Sequence, residues 1–145
     1  MRELPRQLSA DELAELFEGR TRFVGLLAEV EDPLGQARAV LHDLTPDERL
    51  EVLNAHPAIG AGNLSSRSAA EQGDDAAPAV LAELERLNRE YEERHGFRFV
   101  VFVDRRPKSE ILEVLRSRIG NPTERELATA LDELVSIAQD RWRRG

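Results

Sequence analysis

One stretch constrains this chain more than any other. Phe97-Arg98-Phe99-Val100-Val101-Phe102-Val103 is aromatic and β-branched and alternates as a strand would, yet no other segment is a convincing partner strand. An extended segment with no sheet must satisfy its backbone N–H and C=O groups elsewhere, through side chains, water or a ligand. The strip is therefore expected to run through a helical protein and to form one wall of a binding site.

Everything around it reads as helix. Ser9-Ala10-Asp11-Glu12 has capping-box spacing, followed by Leu13, Leu16 and Phe17 at helical intervals. A second helix is expected from Thr21 to about Val30, closed by Glu31-Asp32-Pro33, and Pro33 then opens a third. Thr45-Pro46-Asp47-Glu48 is the clearest start signal, and its helix should end beside His56, because Pro57 disfavours helical geometry in the residue before it. From Ile59 to Arg67 glycine and short polar residues favour a loop, and Ser68-Ala69-Ala70-Glu71 has capping-box spacing again. Leu81, Leu84, Leu87 and Tyr91 then recur along a helix from Pro78 to His95, with Glu85/Arg89 and Glu90/Arg94 expected as exposed pairs and Gly96 as the stop. Two more helices follow the strip, one from Pro107 through Ile119, the other from a Thr123-Glu124-Arg125-Glu126 box through Trp142. The expected fold is all-α: one domain over residues 1–145, a bundle of about seven to nine helices with one short extended segment.

Composition removes several function classes. A formal net charge of −8 argues against nucleic acid, whose binding rests on counterion release by a basic face. Cysteine is absent, so neither a disulfide framework nor thiol chemistry is available. No apolar run approaches the roughly 20 residues that span a bilayer, and neither end reads as a targeting signal, so no membrane partner and a cytoplasmic location are expected. There is no Gly-x-Ser-x-Gly elbow, phosphate-cradling loop or dinucleotide fingerprint.

The chemistry concentrates after the fourth helix. His56 is an imidazole placed where a helix must stop, beside a glycine-rich loop, and histidine moves protons near neutral pH. Polar residues at helix ends are common, so spacing alone leaves structural and catalytic roles equally open. Glu71 sits at the third position of its box, where glutamate often only bonds its own helix terminus; Ser68 and Gln72 have similar structural alternatives. His42 and His95 lie near helix ends, where an imidazolium is favoured by the dipole, and a structural role is expected for both. None of the three histidines stands at zinc-ligand spacing from another, so no metal site is expected. Arg105-Arg106 is either a solvated turn or a contact for an anionic substrate.

His56-Pro57-x-Ile59-Gly60, Ser68-x-x-Glu71-Gln72, Gly96-Phe97-x-Phe99 with its aliphatic run, Arg106, and Glu110-Ile111-Leu112 occur in the order found in 2-oxo-4-hydroxy-4-carboxy-5-ureidoimidazoline (OHCU) decarboxylases. The chain resembles that family from about Leu13 to Trp142. The resemblance implies a cofactor-free, usually homodimeric all-α enzyme that decarboxylates OHCU to (S)-allantoin in urate catabolism. It also implies His56 as the catalytic proton carrier and Glu71 as the acid near the substrate hydroxyl and departing carboxylate. Pro57, Ser68, Ala69, Ala70, Glu71, Gln72, Phe99, Val100, Val101, Phe102 and Val103 match substrate-binding positions, and Arg106 a recurrent arginine. Gly73-Asp74-Asp75 departs from the small residues expected there. Two other readings stay open: a non-catalytic helical interaction module, and a related decarboxylase with a different substrate.

Overall fold

The computed structural model describes residues 3–56 and 78–144. These form seven helices: α1 (Ala10–Phe17), α2 (Arg22–Leu27), α3 (Pro33–Asp43), α4 (Pro46–Ala55), α5 (Pro78–His95), α6 (Lys108–Arg118) and α7 (Thr123–Arg144). No strand occurs among the described residues. The proposed helix and loop between Pro57 and Ala77 lie outside them.

The capping signals explain most of the boundaries. At α1 the Glu12 N–H donates to Ser9 Oγ at 3.1 Å while the Ser9 N–H donates to Glu12 Oε1 at 3.0 Å, satisfying two donors that the helix leaves orphaned. Thr45 and Glu48 repeat the arrangement at α4, with Pro46 in the first turn. Gly96 ends α5 at φ +80°, a conformation that L side chains rarely adopt.

α7 is the spine, packed against α1, α3, α4 and α5, while α2 fills the space between α1, α3 and α4, and α5 pairs with α6. Its buried stripe of Ala130, Leu134, Val135, Ile137 and Ala138 repeats at three and four residues. Opposite lie Leu13, Phe17, Phe23, Leu27, Leu34 and Leu53, all inaccessible to solvent. Phe17 and Phe23 meet edge to face with ring centroids 4.9 Å apart.

Four details differ from the sequence reading. α2 stops at Leu27 because the chain turns there, with the Glu29 and Val30 N–H groups donating to Leu26 and Leu27. Leu81 is 40% exposed, so the buried positions of α5 begin only at Leu84. Glu90 pairs with Arg86 at 2.6 Å in place of Arg94. Most consequentially, the Thr123–Glu126 capping box does not form. The Glu126 N–H donates to the Pro122 carbonyl at 3.0 Å, and both side chains of the expected box are drawn into tertiary contacts.

Candidate active site

His56 caps the C-terminus of α4 in an extended conformation, φ −75° and ψ 138°, as a residue before proline should. Its N–H still donates to the Leu53 carbonyl at 3.2 Å. The ring is buried, and neither Nδ1 nor Nε2 has a hydrogen-bond partner among the described residues. Burial pushes its pKa down to about 4, with the Arg141 cation adding to the effect; the Glu18 carboxylate opposes it, as does the Phe17 backbone oxygen, which lies near the ring without meeting hydrogen-bond geometry. At neutral pH this is a neutral imidazole with both nitrogens uncommitted within the described structure.

The strip adjoins it. Arg98 Nη1 donates to the His56 carbonyl at 2.6 Å, and the Arg98 N–H donates to Asn54 Oδ1 at 3.2 Å, so the end of α4 and the start of residues 97–103 are fastened together. From Arg98 through Phe102 the held groups belong to alternate residues, the periodicity of an extended backbone. Val100 O accepts from Arg118 Nη1 at 3.0 Å, the Phe102 N–H donates to Glu133 Oε1 at 3.4 Å, and Phe102 O accepts from Arg106 Nη2 at 2.5 Å. Phe99 and Val101, only 2% and 3% exposed, have no backbone hydrogen bond among the described residues. Buried peptide groups rarely stay unpaired, which makes this edge the natural place for a ligand's amide-like groups.

Arg106 completes the strip's end. The left-handed Asp104 (φ 48°) and Arg105 (φ 60°) turn the chain, and Arg106 folds back so that Nε donates to Val103 O at 3.1 Å. Its guanidinium is thus engaged with the strip's own carbonyls. His95 is engaged too, with Nδ1 2.7 Å from Thr123 Oγ1 and Nε2 donating to the Ile119 carbonyl at 3.1 Å. His42 lies in the last turn of α3. Pro57, Ser68, Ala69, Ala70, Glu71 and Gln72 lie outside the described residues.

Two charged residues beside His56 escaped the sequence reading. Arg141 on α7 is 2% exposed, and its Nη1 donates to the Leu16 carbonyl at 3.1 Å and pairs with Glu18 Oε1 at 3.0 Å. Glu18 is placed by the left-handed end of α1, φ 65°. The available signal was register: Arg141 follows Leu134 and Ala138 on the stripe that α7 buries, where an arginine needs a partner. Immediately after Glu18, a Cβ on Gly19 would lie 3.3 Å from Ala55 Cβ, so α1 and the end of α4 pack as closely as glycine permits. Among the described residues no cluster of His, Asp and Glu is arranged to hold a metal ion.

The family model for OHCU decarboxylase matches residues 2–143. The chain belongs to the OHCU decarboxylase family. It is 29% identical over 125 residues to the OHCU decarboxylase of Haloferax volcanii, covering 83% of this chain and 74% of that one. The OHCU decarboxylase of Halalkalicoccus jeotgali is 32% identical over 113 residues, covering 74% of this chain and 64% of that relative's length. A crystal structure of an OHCU decarboxylase obtained in the presence of (S)-allantoin superposes with a TM-score of 0.77 at 24% identity, over 92% of this chain and 96% of that one. That likeness establishes the fold of the OHCU decarboxylase family for the helices described above.

Proposed function

We propose that this protein decarboxylates OHCU to (S)-allantoin in urate catabolism, with His56 as the proton carrier. The observation that carries the reading is the neutral, buried His56, which among the described residues has no hydrogen bond on either ring nitrogen and is fastened through Arg98 to a strip whose Phe99 and Val101 peptide groups are, among the same residues, unpaired. Membership of the family supplies the reaction.

The chemistry suits those groups. The substrate's hydroxyl and carboxyl share one ring carbon. Breaking the bond to the carboxyl carbon releases CO₂ and leaves an electron pair that delocalises into the neighbouring C=N. Fixed donors such as the strip's N–H groups stabilise that charge as it develops. A neutral imidazole accepts the hydroxyl proton, and a proton returned from one face to the ureido-bearing carbon gives a single enantiomer. The lowered pKa keeps the ring neutral, and so able to take that proton, well below neutral pH. Glu71 is the acid beside the departing carboxylate in this reading, and Pro57, Ser68–Gln72 and the backbone of Phe99–Val103 hold the substrate. The Arg141–Glu18 pair keeps the charge next to His56 balanced. The same reading includes action without a cofactor, as a homodimer and in the cytoplasm; light scattering of the purified protein tests the dimer.

The decisive assay couples urate oxidase and the isourate hydrolase to this protein and follows the product by circular dichroism. OHCU decays unaided to racemic allantoin, so prompt formation of the (S) form is the expected result. Racemic product at the uncatalysed rate would leave a non-catalytic binding module in its place, and activity confined to another α-hydroxy acid would replace the substrate.

A further inference from the structure

Packed against the strip at Phe99 and Val100 lies a buried ion pair that the proposed reaction itself does not use. Arg118 on α6 donates through Nε to Glu126 Oε1 at 2.9 Å, and the two side chains are 10% and 0% exposed. The same carboxylate accepts from the Tyr91 hydroxyl at 2.7 Å, and its other oxygen accepts from Asn121 Nδ2 at 2.9 Å. Burial alone would raise the Glu126 pKa; the bonds from Asn121, Tyr91 and Arg118 outweigh it and hold the group below its ordinary value. Three helices thus converge on one ionised carboxylate.

Arg118 carries this anchorage to the strip. Nη1 donates to the Val100 carbonyl at 3.0 Å, and the guanidinium lies over the Phe99 ring, 4.6 Å from its centroid. Tyr91 packs edge-on against the same ring at 5.2 Å. Val100 therefore has its carbonyl fixed, between two residues whose own peptide groups are unpaired among the described residues.

Resting on the functional reading above, we propose that Arg118, oriented by Glu126, is a positioning residue for catalysis: its planar fork fixes the rotation of the strip about Val100 and so aims the Phe99 and Val101 peptide groups at the substrate. Lysine can keep the charge pairing with Glu126, but it cannot hold two acceptors at the fixed angle of a guanidinium. Misplacing donors by a fraction of an ångström costs rate even where the fold survives.

The test compares Arg118→Lys and the double variant Arg118→Met/Glu126→Leu with the wild-type full chain. Apolar replacement of a whole buried pair often leaves stability near its starting value, so the double variant keeps the fold accessible, and the lysine variant serves if it does not. The expected result is a wild-type circular dichroism spectrum, kcat reduced about tenfold or more, KM changed by less than about threefold, and lower enantiomeric purity of the allantoin. A merely structural role would lower the melting temperature and leave the kcat of the folded enzyme and the product's handedness unchanged; that outcome overturns the proposal while the functional reading stands. If wild type itself gives only racemic product, the functional reading fails, and the positioning of substrate fails with it. Hydrogen exchange at residues 99–103 then still reports whether Arg118 orders the strip: selective acceleration in the variants shows that it does.

Discussion

His56 and Glu126 are both buried titratable side chains beside the same strip, and they are treated in opposite ways. Glu126 is surrounded by donors from Tyr91, Arg118 and Asn121 and stays ionised. His56 has no partner on either nitrogen among the described residues and is held neutral. A buried polar group that is fully bonded stabilises a geometry; one left unbonded is destabilising unless something else uses it. The contrast separates support from chemistry without reference to either residue's type.

The largest effect that could break this contrast is on turnover. His56→Asn should reduce kcat by roughly 10²- to 10⁴-fold with helix content intact, the span typical of a lost general acid–base group. Near-normal turnover in the coupled assay would remove His56 from the mechanism. In the wild-type enzyme, kcat/KM should fall on the acid side near pH 4, following the lowered pKa, because the reactive form is the neutral ring. An acid limb at or above pH 6.5 would contradict that assignment.

Stability should respond in the opposite order. Glu126→Leu alone strands the Arg118 cation, and denaturant unfolding should register a loss of about 3 to 5 kcal/mol. A loss no larger than that of an exposed substitution would mean the carboxylate is not the anchor described.

The pH dependence of stability sharpens the comparison. His56 has a lowered folded pKa, so its contribution is fully present above the unfolded value near 6.5 and is lost as pH falls toward 4, where only the unfolded chain has gained the proton. Over that window the loss is about 3 kcal/mol. His56→Leu should flatten this portion of the profile, and an unchanged slope between pH 6.5 and 4 would count against it. Glu126 acts later: its lowered pKa contributes stability above its unfolded value near 4.3, lost as pH falls below that through the folded value.

Smaller still, Tyr91→Phe removes one bond to the charged Glu126 and should cost about 2 kcal/mol in unfolding experiments. Ser9→Ala should cost about 1 kcal/mol through the lost cap and leave kcat unchanged, serving as the remote control. An activity loss there would show that the assay tracks stability and not the site.

Local signals made most of the helices legible. Ser9, Thr45, Pro46, Gly96 and Pro107 act on their own neighbours, so their effect is written in adjacent residues. The unpartnered strip was legible for the same reason, since alternation is local and the lack of a second such run is visible along the chain. Thr123-Glu126 shows where this fails. The spacing was right for a cap, yet His95 and Tyr91, distant in sequence, offered these side chains better partners than their own helix terminus did. Arg141 and Glu18 went unnoticed because their pairing joins the two ends of the chain.

Sequence alone determined the all-α class, the placement of His56 at a helix end and the extended character of residues 97–103, because each follows from interactions within a few residues. Only the tertiary structure decided that His56 is neutral, that Arg106 is spent on the strip's own carbonyls, and that the Val100 carbonyl is bonded while Phe99 and Val101 have no backbone hydrogen bond among the described residues. Those properties depend on burial and on partners brought together from α1, α5, α6 and α7, and desolvation and hydrogen-bond competition are set by what surrounds a group in space.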